Sequence, residues 1–161
     1  MKLKYFTILM FVVLILPVCN NGANPKEDLG EIYRIALNSI MEQDEALSHD
    51  MEYIAIDMSN FEKVVESDKK EILSYFKDKY KVDVMEATFE QLKEKGLYDP
   101  EKMALDGVLL RLEKVEFKSR NNIFFEGSKY RSGLGAIGVE VTVHYKDNKW
   151  KTKEVKQTWI S

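Results

Sequence analysis

The chain has 161 residues, 45% hydrophobic and 32% charged, with 24 Lys and Arg against 27 Asp and Glu for a net charge of −3. That balance excludes a disordered polar tail, and the length fits one ordinary domain with a core of its own. The single cysteine excludes a disulfide within the chain, and the net negative charge argues against nucleic acid as a partner.

Met1, Lys2 and Lys4 form a positive start, followed by an apolar run from Tyr5 to Val18 that only Thr7 and Pro17 interrupt. This is the layout of a bacterial-type export signal over residues 1–18, and it predicts an extracytoplasmic location. Cys19 stands where the run stops, with the polar, turn-forming Asn20 to Asn24 behind it. A lipoprotein signal places its lipidated cysteine there, and Leu16 fits that pattern while Pro17 and Val18 depart from it. Cleavage after Ala23, giving a secreted form, is the alternative. An uncleaved anchor is a third reading, but the run is short of the roughly 20 residues that span a bilayer. We expect a lipid on Cys19, a tether over residues 19–24, and one domain over 25–161.

Charge is uneven along that domain. Eleven Lys and Arg face 21 Asp and Glu from Cys19 to Asp106, a net of −10, whereas 11 face 6 from Gly107 to Ser161, a net of +5. The basic second part suits an anionic partner; equally, the two halves attract each other.

Asn24 and Pro25 read as a helix start, with Glu27 and Asp28 in the first turn. Leu29, Ile32, Tyr33, Ala36, Leu37 and Ile40 then fall on one helical face. This predicts a helix from Pro25 to about Ser48. Tyr53-Ile54-Ala55-Ile56 is apolar throughout and reads as a buried strand or as part of a second helix. Ser67 is the expected cap of a helix carrying Ile72, Leu73, Phe76 and Tyr80. Lys81 to Met85 alternates like a strand. Thr88 and Gln91 form a capping box for a short helix that stops at Gly96, and Asp99-Pro100 marks a turn.

From Gly107 the chain becomes rich in β-formers. Strands are expected over Val108–Phe117, Ile123–Tyr130, Val139–Lys146 and Trp150–Ile160, with turns at Lys118–Asn122 and Lys146-Asp147-Asn148-Lys149. The predicted fold class is α+β: N-terminal helices packed on a C-terminal curved antiparallel sheet of about four strands. That element order resembles the NTF2-like and cystatin-like folds, which implies a pocket between helix and sheet.

Lys129-Tyr130-Arg131-Ser132-Gly133-Leu134-Gly135-Ala136 is the expected ligand or partner loop. It joins two cations, a ring and a hydroxyl to Gly133 and Gly135, whose backbone can approach a ligand closely. The competing reading is a glycine-bearing strand connection with solvated cations. Gly133 to Gly138 also spells G-x-G-x-x-G, but a strand follows where a dinucleotide site needs a helix. Lys149, Lys151 and Lys153 would share one face of a regular strand, as an outer face or as a contact for an anionic envelope surface. Trp150 and Trp159 would lie on opposite faces.

Catalytic signals are weak. His49 and His144 lack metal-ligand spacing. Ser67 to Lys70 and Ser74 to Lys77 match S-x-x-K by chance, in a chain too short for the penicillin-recognising fold. No catalytic residue, metal or cofactor is assigned, and the acids Glu42, Asp44, Glu45, Asp50, Glu52 and Asp57 would need spatial pairing for acid-base work.

Tyr53-Ile54-Ala55-Ile56-Asp57, Lys129 to Ala136 and the ending Thr158-Trp159-Ile160-Ser161 together resemble small uncharacterised exported proteins and lipoproteins of Gram-positive, spore-forming bacteria. The resemblance implies no activity. The expected function is therefore a non-enzymatic, envelope-tethered binding or interaction module. Its partner would be an unknown envelope protein or a small anionic ligand. The alternatives are a small extracytoplasmic enzyme with an NTF2-like pocket and an inhibitor or immunity-type protein.

Overall fold

The structure is a computed structural model that describes residues 23–161. The export segment, Cys19 and most of the expected tether lie outside the described residues.

Helix α1 (Leu29–Met41) buries Leu29, Ile32, Tyr33, Ala36, Leu37 and Ile40, the apolar face that the spacing marks out. Each such large side chain contributes about 1.5–3 kcal/mol by leaving water. The helix ends seven residues before Ser48. Asp44 turns the chain with a φ of 47°, and Glu45–Ser48 forms a single 3-10 turn. Strand β1 (Tyr53–Asp57) follows and is buried along its whole length, which settles the strand-or-helix question for that segment.

Helix α2 (Glu66–Tyr80) leads to β2 (Asp83–Glu86). Its cap position is Val65, not Ser67, and no side chain caps it. Thr88 and Gln91 do form both hydrogen bonds of the capping box at the start of α3 (Phe89–Glu94), and Gly96 follows with a φ of 71°. Then come β3 (Tyr98–Asp99), β4 (Ala104–Ser119), β5 (Asn122–Ser132), β6 (Gly135–Lys146) and β7 (Lys149–Ile160). Asp147 and Asn148 both take positive φ, 56° and 59°, as a two-residue hairpin requires.

Among the described residues, seven strands form one mixed sheet in the order β2-β1-β4-β5-β6-β7, with β3 pairing β4. The expected four-stranded curved antiparallel sheet, NTF2-like or cystatin-like, is thereby overturned. The physical reason is the β1-α2-β2 crossover. It lays β1 parallel to both β2 and β4, so the first half of the chain extends the sheet instead of only covering it.

Helices α1 and α2 share one core with the inward residues of the sheet, among them Ile54, Ile56, Leu110, Phe125, Val141 and Trp150. A second, smaller cluster on the other face joins Tyr53, Ala55, Leu105 and Leu109 to Ala87 and Leu92 of the α3 segment. The topology gives the molecule two ends. One gathers the start of α1, the carboxyl end of β1, the β4–β5 turn and the β6–β7 hairpin. The other gathers the end of α1, the 3-10 turn and the β5–β6 turn.

Candidate functional site

The expected loop lies at the second end, and its charged residues are turned to main-chain carbonyls. Lys129, on β5, is 0% exposed. Its Nζ donates to the carbonyls of Met41 at 3.0 Å, Asp44 at 2.8 Å and Gln43, and to Ser48 Oγ at 2.9 Å. A buried ammonium at a helix C-terminus meets orphan carbonyls and the negative end of the dipole. Burial still pushes its pKa down to about 8, against the pull of Asp44 and Glu45. Arg131 Nη1 donates to the carbonyls of Leu47, at 3.1 Å, and His49.

The other loop residues are placed as follows. Tyr130 donates to the Met103 carbonyl and packs its ring edge-on against Phe89, with centroids 5.3 Å apart. Gly133 N donates to that same carbonyl, and Ser132 pairs with Gly135 across the turn. Leu134 at the tip is 89% exposed, and Met103, which lies against Gly133, is 54% exposed. Strand β6 begins at Gly135, so the G-x-G-x-x-G string spans a hairpin with no helix after it.

The lysine stripe is also broken. Lys149 pairs with Lys146 and Lys151 with His144, but the register shifts between Thr142 and Val143, and Lys153 falls in the bulge. Lys151 is held at 2.7 Å from Asp147. His144 sits among these cations, and its pKa is lowered, first by burial and then by Lys151, Lys146 and Lys153. Trp150 and Trp159 do take opposite faces. Trp150 is buried with its Nε1 donating to Asp28 at 2.8 Å. Trp159 lies over Gly138, where any Cβ would meet the indole.

A cleft of about 560 Å³ opens at the first end, where the chain enters the domain. Leu29, Tyr33 and Val115 give it an apolar lining, and Phe117, 52% exposed, stands at its rim. Around them are Lys26, Lys63, Lys114 and Arg120, with Glu62 and Glu113 as the carboxylates and Ser59 and Asn60 as neutral polar groups. Its position follows from the topology, because clefts form beyond the carboxyl ends of parallel strands. Asp57 ends β1 and is buried. Its Oδ1 accepts from Ser59 N at 3.0 Å and Ser59 Oγ at 2.6 Å, and Arg111 Nε stands 3.7 Å from its Oδ2. Asn60 donates to the Leu112 carbonyl at 3.0 Å, which ties the loop leaving β1 to β4. Tyr33 is pushed up to about 12 by burial and then by the Glu62 charge, so it meets the cleft as a neutral phenol.

Sequence reasoning missed this cleft. Its one local signal is Phe117-Lys118-Ser119-Arg120, an aromatic residue among cations at a hairpin turn. Among the described residues, no group of three or more His, Cys, Asp or Glu is placed to hold a metal ion. Comparison with family models, with curated proteins and with solved structures finds no match.

Proposed function

We propose that the chain is an exported, envelope-tethered, non-enzymatic binding module, attached through Cys19, whose ligand is a small anionic molecule with an apolar part. The observation that carries this is the cleft: four cations and two carboxylates set around an apolar lining at the carboxyl end of β1. Cations bring an anion in, while the apolar lining favours a ligand with a nonpolar body.

Phenyl phosphate is a suitable probe, titrated into isotopically labelled mature protein. Amide shifts should gather at Ser59, Asn60, Lys63 and Val115–Arg120, and Lys63→Glu with Arg120→Glu should weaken binding about tenfold, or 1.4 kcal/mol. Shifts scattered over the surface, or unchanged by the double variant, would refute the site. Release of inorganic phosphate would convert the module into an enzyme. The intact mass of the membrane-extracted protein tests the anchor, since a diacylglycerol must sit on Cys19.

A second reading, a protein contact, rests on the opposite end. Leu134 and Met103 are large, exposed and adjacent to Gly133, in the place expected for a partner loop. Leu134→Ser would then release a partner without altering phenyl phosphate binding.

A further inference from the structure

We propose that the end of the domain bearing the cleft rests on an anionic phospholipid surface, with the acidic α1–β1 connection pointing away from it. This rests on the tethered-module reading and adds the orientation and the lipid charge.

Five cations from separate segments share that end: Lys26 before α1, Lys63 after β1, Arg120 in the β4–β5 turn, and Lys146 and Lys149 flanking the β6–β7 hairpin. All five are exposed. None makes an ion pair among the described residues. Some acids at this end are paired with cations, and others accept from neutral donors and keep their charge. Asp28 accepts from Trp150, Glu27 from Asn24, Asp147 pairs with Lys151, and Glu116 with Lys114 and Lys118. Glu27, Asp28, Asp68 beside Gly30, and Glu62 and Glu113 at the cleft remain as opposing charge, so the five free cations act through their place on the outermost loops and beside the tether.

The far end has the opposite character. Glu42, Asp44, Glu45, Asp50 and Glu52 lie between α1 and β1. Glu42 is paired with Lys79, while Lys129 and Arg131 spend their contacts there on carbonyls and a hydroxyl. Charge asymmetry of this kind orients a domain whose basic end lies within a Debye length of a negative surface.

Tether length supplies the second argument. Cys19 precedes Pro25 by six residues, which reach about 20 Å at full extension. Pro25 and Lys26 themselves line the cleft, so a lipid on Cys19 would hold this end, and not the acidic one, close to the headgroups. Exposed Phe117 at the cleft rim has the aromatic character found at membrane interfaces.

The test uses the full chain in vesicles of phosphatidylglycerol with phosphatidylcholine, or of phosphatidylcholine alone. A membrane-impermeant amine-acylating reagent is added and the rate at each lysine is read by mass spectrometry. Lys26, Lys63, Lys146 and Lys149 should react on the order of fivefold more slowly on the anionic vesicles, and the difference should vanish at about 1 M salt. Lys81 and Lys102, toward the far end, should react equally on both. In a variant combining Lys63→Glu, Arg120→Glu, Lys146→Glu and Lys149→Glu, Lys26 should lose its protection.

Equal rates on the two vesicles, or protection of Lys26 surviving in that variant, would overturn the proposal. So would protection reproduced by soluble polyphosphate over neutral vesicles, which would assign the basic end to a free polyanion. The intact mass of the same sample reports the lipid on Cys19, so failure of the tether is read separately from failure of the orientation.

Discussion

Lys129 Nζ lies 3.0 Å from the carbonyl oxygen of Met41, so the middle of the sheet closes the last turn of α1 through one buried ammonium. Removing it leaves the carbonyls of Met41, Gln43 and Asp44, and Ser48 Oγ, without this donor, with the Met41 carbonyl the most deeply buried of them. Each unsatisfied buried group costs about 1–3 kcal/mol, and relief of the buried charge offsets part of that sum. Lys129→Met should therefore destabilise the domain by about 3 kcal/mol. Urea unfolding should show a lower midpoint at unchanged slope.

The same residue sets a pH dependence. Burial lowers Lys129 to about 8 in the folded chain, against an ordinary 10.5. Between those values the folded state has released a proton that the unfolded state still holds. Stability must therefore rise with pH across that window, by on the order of 1 kcal/mol per unit at its steepest. Tyr33 and Tyr53 act in reverse. Both are pushed up to about 12, chiefly by burial. Above pH 10 the unfolded chain loses tyrosine protons that the folded one keeps, and stability falls. Unfolding free energies at pH 7.5 and 9.5 should differ in the unaltered protein, and the rise should disappear in Lys129→Met.

Features written within a few residues of one another were legible in the sequence. The Thr88 capping box, the Asp147-Asn148 turn, the α1 face and the last three strands all depend on local spacing. The parallel pairing of β1 was not legible. Tyr53 to Asp57 is buried on both faces and carries no alternation to distinguish strand from helix. The candidate site fared in the same way. Lys129 and Arg131 read as ligand-contacting or solvated cations because the carbonyls they meet lie over 80 residues away in sequence. The cleft draws on Lys63 and Arg120, which the β1–β4 pairing brings to one end, and on Lys26, which the start of α1 adds there.

Gly127 lies on the sheet where Ile40 of α1 packs against it. A Cβ there would stand 2.5 Å from the Arg111 carbonyl oxygen and 2.6 Å from Ile40 Cδ1. The first contact is backbone, so it yields only by moving β4. Gly127→Ala should cost about 2 kcal/mol or more through overpacking. The companion variant Gly96→Ala has open space around it but a φ of 71°, so it should cost only about 1 kcal/mol, from backbone strain alone. Thermal melts of the two variants would separate the causes.

Arg131 is the residue on which the two accounts of the loop diverge. As a ligand contact, its loss would abolish recognition while leaving the fold untouched. Its bonds to the Leu47 and His49 carbonyls give a different expectation. Arg131→Ala should loosen the 3-10 turn and the connection to β1, because few other side chains hold that acidic segment. Amide exchange at Leu47 to Asp50 should quicken by about tenfold, equivalent to 1.4 kcal/mol of local opening, while the strands keep their protection. Phenyl phosphate binding in the cleft should not change, since the cleft lies at the other end of the sheet. Unaltered exchange together with lost binding would return the contact to the loop.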